Sequence, residues 1–248
     1  AFSPKAGFAW RIADAWVLRG SIGKAFNTPD VSQLYGNSRR GGTTTAYGNP
    51  FLTPEKALSR DLGLDFYLGQ QAYVKSSIYY TTAEDFIYTI NRTGVPAGTS
   101  VTDKANVGEV RARGAELEGL WHTTSFIDLQ GSFTWNDSKV TSNPANTSLV
   151  GKQLIYVPRQ SGFLKGDLHL TDRASAFVQV THVGDRFGND TNTVTYAKYT
   201  TWDLGVSKTL AKDLTLRLTG INLGDKKYDG IGYLAPGRVV TGSLVARF

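Results

Sequence analysis

Hydrophobic and polar positions alternate with a period of two along almost the whole chain, and helical periodicity is nearly absent. The segment 214–219 places three leucines on one face and Thr, Arg and Thr on the other. Segments 61–68 and 128–136 repeat the pattern, and 237–248 shows a weaker form of it. Such alternation predicts β-strands with one apolar face and one polar face.

Eleven strands are predicted from this pattern. Their ranges are 2–13, 16–25, 57–69, 72–90, 105–121, 126–139, 160–171, 174–186, 198–210, 214–224 and 237–248. Most are 10 to 14 residues long, whereas strands of globular proteins average about five or six. A tilted strand that crosses a bilayer needs about 9–11 residues. The lengths therefore predict an all-β protein that forms an antiparallel transmembrane β-barrel.

The connections between these strands alternate strictly between short and long. The short ones fall at 13–15, 70–71, 122–125, 172–173 and 211–213, and the long ones at 26–56, 91–104, 140–159, 187–197 and 225–236. Bacterial outer-membrane barrels have short periplasmic turns and long extracellular loops. The pattern thus predicts an outer-membrane location, with the last strand ending in the periplasm at a lipid-facing aromatic residue, Phe248.

The number of predicted strands is odd, although single-chain bacterial barrels have an even number. An open sheet in lipid would also leave two unpaired edges, which a membrane does not tolerate. We therefore expect about as many further strands before residue 1. The chain lacks Met and a signal peptide, which predicts a mature or truncated product. Residues 1–248 are accordingly interpreted as the C-terminal part of one barrel.

Composition narrows the class further. The net charge is +6, but the basic residues are scattered among carboxylates, so no nucleic-acid partner is expected. The mean hydropathy is −0.25 and no apolar run approaches the length of a membrane helix. The absence of Cys removes disulfides and thiolate metal sites from consideration. Aromatic residues near the predicted strand ends favour interfacial girdles.

Four sequence blocks, in order, resemble the barrel of TonB-dependent outer-membrane receptors. The first two are Ser3-Pro-Lys-Ala-Gly-Phe8 with Leu18-Arg-Gly-Ser-Ile-Gly-Lys-Ala-Phe-Asn-Thr-Pro29, and Gly48-Asn-Pro-Phe-Leu-Thr-Pro-Glu-Lys56. The others are Gly114-Ala-Glu-Leu-Glu-Gly119, and Gly220-Ile-Asn-Leu-Gly-Asp-Lys-Lys-Tyr228 ahead of the terminal Arg247-Phe248. Each block alone is moderately specific, and the ordered set spans essentially the whole chain.

This resemblance implies a 22-stranded barrel that is filled by an N-terminal plug domain. The present chain would then supply strands 12 to 22, in agreement with the odd number of strands predicted for it. The implied partners are the protein's own plug and first barrel half, the outer-membrane lipid, and the TonB complex through the N-terminal region. The plug and the coupling segment are not within residues 1–248.

Catalytic chemistry is not indicated. His122, His169 and His182 show no metal-ligand spacing, and no nucleophile elbow, P-loop or dinucleotide fingerprint is present. An outer-membrane protease or phospholipase would need a Ser/His or Asp/His arrangement at one rim, and no such motif occurs. We expect no enzymatic activity, no resident metal and no cofactor.

Binding residues are expected in the long loops, because loops on a rigid scaffold carry function. Arginines suit an anionic ligand and aromatic rings suit a flat one. The candidates are Tyr35, Arg39, Arg40, Tyr47, Phe187, Tyr196 and Tyr233. For each residue alone, the alternative is an interfacial aromatic or a solvated loop charge.

Four charged residues of one strand are a second candidate set. Arg111, Arg113, Glu116 and Glu118 are interpreted as one charged ladder in the barrel lumen that faces the plug. The alternative is a set of solvated wall charges, each contributing little.

The resemblance implies active import of a scarce small ligand. A ferric siderophore is the expected cargo, because it is common among similar receptors. Haem, cobalamin and small cofactors such as pyrroloquinoline quinone stay open as alternative cargoes, and a passive porin is the alternative class.

Overall fold

The structure is a computed structural model. The structure describes residues 2–40, 43–92, 94–95, 101–230 and 233–246. Phe248, whose position on the lipid face was predicted, lies outside these residues. Among the described residues, no helix is both long enough and apolar enough to span a bilayer.

The elements follow the predicted strands closely. In chain order they are β1 (Lys5–Ala13), β2 (Trp16–Asn27), α1 (Val31–Tyr35), β3 (Asn37–Arg40), β4 (Thr43–Tyr47), β5 (Glu55–Leu68), β6 (Ala72–Asn91), β7 (Thr102–Thr124), β8 (Ile127–Ser142), a 3₁₀ turn (Thr147–Leu149), β9 (Gln160–Thr171), β10 (Ala174–Val183), β11 (Arg186–Phe187), β12 (Thr195–Tyr196), β13 (Tyr199–Ala211), β14 (Leu214–Ile221), β15 (Asp229–Gly230), β16 (Tyr233–Leu234) and β17 (Val239–Ala246).

Eleven of these strands form the continuous path of one 13-stranded sheet, in the order β1-β2-β5-β6-β7-β8-β9-β10-β13-β14-β17, and β3 and β4 join it beside β7. Each pairs antiparallel with the next wall strand along the chain. The prediction of eleven antiparallel strands is therefore confirmed. The sheet is open in this chain, with β1 and β17 at its edges.

The register gives the sheet two chemically different faces. Leu62, Ile78, Ala115 and Trp135 form one cross-strand row. Every second row counted from this one has its side chains on the same side of the sheet, and these rows are mainly apolar. We call this side the apolar face. The rows in between, such as the row of Ser77, Glu116 and Thr134, have their side chains on the opposite side of the sheet. They are mainly polar, and we call this side the polar face.

The sheet has almost no core of its own. Only five hydrophobic residues of the described part are buried, and four of them cluster beside the long connections: Tyr88, Val110, Val140 and Leu149. On the apolar face the side chains are exposed instead, for example Ile78 at 60% and Leu117 at 49%. Because exposed apolar area of this size is unfavourable in water, the apolar face requires an apolar environment.

The two ends of the sheet differ as predicted. Tight turns join β1 to β2, β5 to β6, β7 to β8, β9 to β10 and β13 to β14, and this is the short-turn end. At the opposite, long-loop end, the loop between β2 and β5 is fixed to β7. There, Asn49 Nδ2 donates to the carbonyl of Lys104 at 2.9 Å, and Asn106 accepts from Thr53 N at 2.8 Å.

A close crossing on the polar face explains one glycine of the third sequence block. Tyr79, Gly114 and Asn136 form a cross-strand row, and Asn136 Nδ2 donates to the Tyr79 hydroxyl at 2.6 Å. The Tyr79 side chain therefore passes over Gly114. A Cβ at residue 114 would clash with the backbone oxygen of Trp135 and would lie 2.5 Å from the Tyr79 hydroxyl.

We predict that Gly114→Ala lowers the free energy of unfolding by about 1–3 kcal/mol, the usual range for overpacking. Thermal unfolding of the full-length protein in detergent, followed by circular dichroism, measures the effect. Gly119→Ala is the matched control in the same strand, because its Cβ would meet the nearest atom only at 3.4 Å. Equal stability of the two variants would contradict the proposed crossing.

Candidate functional site

The long connections are held together by asparagine side chains at the long-loop end. Asn192 accepts from Gln153 N at 2.7 Å and donates to its carbonyl at 3.0 Å, which ties two loops together. Asn222 is 2% exposed, accepts from Lys226 N and donates to the Lys226 carbonyl, both at 2.9 Å. These bonds close the turn after β14 and fix the positions of the nearby aromatic rings.

A buried arginine lies between these loops. Arg186 is 6% exposed, and its Nη2 donates to the backbone carbonyl of Asp229. In the part of the chain that the structure describes, its Nη1 has no hydrogen-bond partner and no carboxylate oxygen lies within 4.0 Å. A desolvated charge of this kind costs free energy unless other groups compensate it.

Two tyrosine rings lie close to this guanidinium. Its central carbon lies 5.6 Å from the ring centroids of both Tyr196 and Tyr199, within the usual range of cation–π contacts. Tyr228 stacks on Tyr199 with centroids 3.9 Å apart, and Tyr156 stacks on Tyr196 at 6.1 Å. We call Arg186 and these four tyrosines the Arg186 cluster.

The strand pairings explain how the cluster forms. Arg186 and Tyr196 are direct partners in the β11–β12 hairpin. Tyr199 pairs with Val183 at the end of β10, on the polar face of the sheet. Tyr156 N donates to the carbonyl of Phe187 at 2.8 Å. Three loops thus contribute side chains to one site.

A second arginine at this end has a different environment. The central carbon of Arg92 lies 4.1 Å from the ring centroid of Tyr47, and its Nε donates to Asp103 Oδ2 at 2.8 Å. The carboxylate already compensates this guanidinium. An added anion would therefore gain less at Arg92 than at Arg186.

Asp225 fixes the last long loop. Its Oδ1 accepts from Arg238 N at 2.9 Å and from Lys227 Nζ at 3.2 Å. These bonds, the backbone bond from Arg238 first, hold the pKa of the Asp225 carboxyl below its ordinary value. The charged form of Asp225 thus ties the beginning of the last long loop to its end at Arg238, directly before β17.

The structure distributes the predicted binding residues over two regions. Tyr47 stacks with Arg92, Tyr196 belongs to the Arg186 cluster, and Phe187 pairs with Thr195 beside it. Tyr35 is exposed on α1 and is not part of either group. The side chains of Arg39, Arg40 and Tyr233 lie outside the described residues. Whether these residues bind a ligand stays a prediction.

The expectation of a single charged ladder on β7 is wrong in its geometry. Glu116 accepts from Ser77 Oγ at 3.3 Å and Glu118 from the Tyr73 hydroxyl at 2.9 Å, on the polar face. Arg111 and Arg113 instead share the parity of Leu117 on the apolar face. The register of β7 has no irregularity between residues 110 and 122, so residues of odd and even number point to opposite sides.

Arg186, Tyr156 and Tyr199 were not among the binding residues predicted from the sequence. All three lie close to the ends of predicted strands or loops, where a single arginine or tyrosine carries no motif. Tyr228 was visible as the end of the fourth sequence block. The available signal was the recurrence of tyrosines at corresponding loop ends.

Comparison with known proteins identifies the family. The model of the TonB dependent receptor-like β-barrel matches residues 1–223. The chain therefore belongs to the TonB-dependent receptor β-barrel family, and the predicted resemblance is confirmed. Its location in the outer membrane is confirmed as well.

Two curated relatives and one solved structure illustrate the similarity. The iron-regulated outer membrane virulence protein of Vibrio cholerae is 25% identical over 96% of this chain and 38% of its own length. The ferrioxamine B receptor of Salmonella typhimurium is 28% identical over 57% of this chain and 21% of its own length. A mutant of the ferric enterobactin receptor of Pseudomonas aeruginosa, in complex with enterobactin, superposes with a TM-score of 0.76 at 19% identity, covering 98% of this chain and 40% of that one.

Membership of this family indicates which side of the sheet faces lipid and which end of it is extracellular. The chain spans about two fifths of the length of the V. cholerae relative. The apolar face meets lipid, and the polar face lines the barrel interior. Since the short turns of such barrels are periplasmic, the long-loop end with the Arg186 cluster is extracellular.

The depressed pKa of Asp225 leads to a pH-dependent prediction. Its stabilising effect is complete above the ordinary value of 3.8 and is lost as the pH falls through the lower folded-state pKa. We expect Asp225→Asn to reduce the hydrogen-exchange protection of the Arg238 amide at pH 7. The difference from the wild type should shrink below pH 3.8.

Asp213→Asn, in the turn before β14 at the opposite end, is the matched control and should leave Arg238 protection unchanged. Protection that is the same in Asp225→Asn and in the wild type at pH 7 would show that another contact holds this loop.

Proposed function

We propose that this chain is part of an outer-membrane receptor that binds a ferric siderophore at its extracellular loops and imports it with energy from TonB. The observation that carries the proposal is the buried guanidinium of Arg186, which has two tyrosine rings within cation–π distance and no carboxylate among its described neighbours. Because Arg186 is 6% exposed, an anionic chelate reaches it only when the surrounding loops move, and the guanidinium can then form charge-assisted bonds with oxygen atoms of the chelate. The stacked tyrosines offer flat apolar area beside it.

Several observations support this cargo over the alternatives. Relatives are named as an iron-regulated outer membrane protein and as a ferrioxamine B receptor, and a structural neighbour holds enterobactin. The iron of a siderophore arrives already chelated, so the receptor needs no metal ligands of its own. In this proposal the TonB complex, the plug and the first barrel half act as partners, and the chain performs no enzymatic reaction.

The test uses cells that produce the full-length receptor and take up ⁵⁵Fe complexed with ferrioxamine B or enterobactin as probes. We expect saturable uptake from at least one of these chelates, and its loss when TonB is deleted. Uptake that persists without TonB would favour a passive porin, and failure to import either chelate would contradict the proposed cargo.

Arg186→Ala tests the site itself. We expect the dissociation constant of the transported chelate to rise on the order of tenfold to a hundredfold, because a hydrogen bond to a charged group contributes about 1.5–3 kcal/mol. Arg186→Lys, which keeps the charge but not the planar fork, should restore part of the affinity. Arg173→Ala in the turn between β9 and β10 is the control for charge loss.

Equal affinity of the wild type and Arg186→Ala would place the binding site elsewhere. Surface abundance and detergent-resistant folding of each variant are measured in parallel, so that loss of binding is separated from loss of the barrel.

A further inference from the structure

Charged residues on the apolar face are concentrated near its extracellular end. Arg60, Tyr80, Arg113 and Asp137 form one cross-strand row, directly above the apolar row that contains Leu62 and Trp135. The next row outward contains Arg111 and Lys139. These side chains belong to a surface that meets lipid, so they do not face the plug or the cargo.

The charges in this region do not balance. Arg111 Nη2 and Arg113 Nε each lie 3.1 Å from Asp137 Oδ2, and Lys139 Nζ lies 3.2 Å from Asp137 Oδ1. Three cations therefore share one carboxylate. Arg60 is exposed and has no carboxylate oxygen within 4.0 Å among the described residues. The group carries excess positive charge and fits an anionic partner.

The position of the row matches the membrane boundary. From Arg113 to Trp121, β7 supplies nine residues with an apolar side, close to the 9–11 that a tilted strand needs to cross a bilayer. Tyr80 lies within the charged row and Trp135 in the apolar row next to it; they are 41% and 43% exposed, as expected of an interfacial aromatic belt. The cations thus lie at the level of the outer-leaflet headgroups.

An apolar groove begins at these cations. It has a volume of about 400 Å³ and is lined on the lipid side by Arg60, Leu62, Ile78, Tyr80, Arg113 and Trp135. The guanidinium-bearing side chains form one end of this groove, and leucine, isoleucine and tryptophan form the rest. A ligand here would place negative charge at one end and hydrocarbon along the other.

A second groove continues the same surface toward the middle of the membrane. Gly119 and Gly131 are direct cross-strand partners, and the missing side chains leave a depression of about 420 Å³ beside Leu117 and Phe133. Six residues of β7 separate Gly119 from Arg113, which is roughly 20 Å along the strand. For a strand that is tilted by about 45°, this length covers about half of the thickness of the ~30 Å hydrocarbon core.

We infer that this surface is a binding site for a phosphorylated lipid of the outer leaflet, with its phosphate at Arg60 and Arg113 and an acyl chain in the two grooves. Guanidinium groups bind phosphate oxygens in bidentate geometry, and the depth of the grooves matches one leaflet. The site is separate from the extracellular mouth, so it does not rest on the proposed cargo.

The test is native mass spectrometry of the full-length receptor in detergent, titrated with bisphosphorylated lipid A as the probe. We expect binding of this lipid to be stronger than that of the same lipid A with its phosphates removed. Arg60→Gln and Arg113→Gln should each weaken it about fivefold, the factor expected for one basic residue at an anionic membrane surface. After either substitution Asp137 is still paired with Arg111 and Lys139, so its carboxylate is not left without a cation.

Arg217→Gln is the matched control, because Arg217 pairs with Ser207 and Ser243 on the polar face. It should bind lipid A as the wild type does. Equal binding of the phosphorylated and dephosphorylated lipids, or equal loss in Arg217→Gln, would overturn the inference. Inorganic phosphate that displaces lipid A at an equal concentration would overturn the role of the grooves. Folding of each variant is checked by its heat-modified gel mobility.

Discussion

The whole architecture depends on one constraint: in lipid, no water is available to a backbone N–H or C=O group, so neighbouring strands must satisfy both. The uninterrupted pairing from β1 to β17 meets this requirement between the two edge strands. It also fixes the register of each strand against the next. Because side chains alternate, that register decides which of them meet lipid and which line the interior.

The separation of the two faces distributes functions over the wall. Polar contacts such as the bond between Asn136 and Tyr79 lie on the inner side, where they stiffen the wall beside the barrel interior. The outer side is mainly apolar, and charged residues such as Arg60 and Arg113 are concentrated at its extracellular boundary. The loops at that end are freed from the pairing rule. They can therefore bring Arg186 and distant tyrosines into one cluster.

The fold was largely predictable from sequence, because long alternating segments and alternating connection lengths leave few other architectures. β7 runs from Thr102 to Thr124 although 105–121 was predicted, since extensions beyond the membrane need no apolar face. Arg111 and Arg113 were predicted on the same face as Glu116 and Glu118, which is wrong. In a strand without a bulge, odd- and even-numbered residues point to opposite sides, so residues 111 and 116 cannot share a face. The prediction grouped charges by proximity in sequence and overlooked that rule.

The candidate site was less predictable. Tyr196 was selected because it is an aromatic residue in a long loop, but Arg186 has no distinguishing pattern around it. Its importance comes from burial and from rings contributed by three separate connections. These contacts depend on asparagine-mediated turns, such as the one closed by Asn222, which alternation and composition do not encode.

The most direct test of the account is the accessibility of single spin labels along β7. The chain contains no cysteine, so a label can be attached at Ala115, Glu116, Leu117 or Glu118 in the full-length protein, with any cysteine elsewhere replaced. Collisions with lipid-dissolved oxygen should be frequent at 115 and 117 and rare at 116 and 118. The reverse order, or values without a period of two, would contradict the assignment of the two faces.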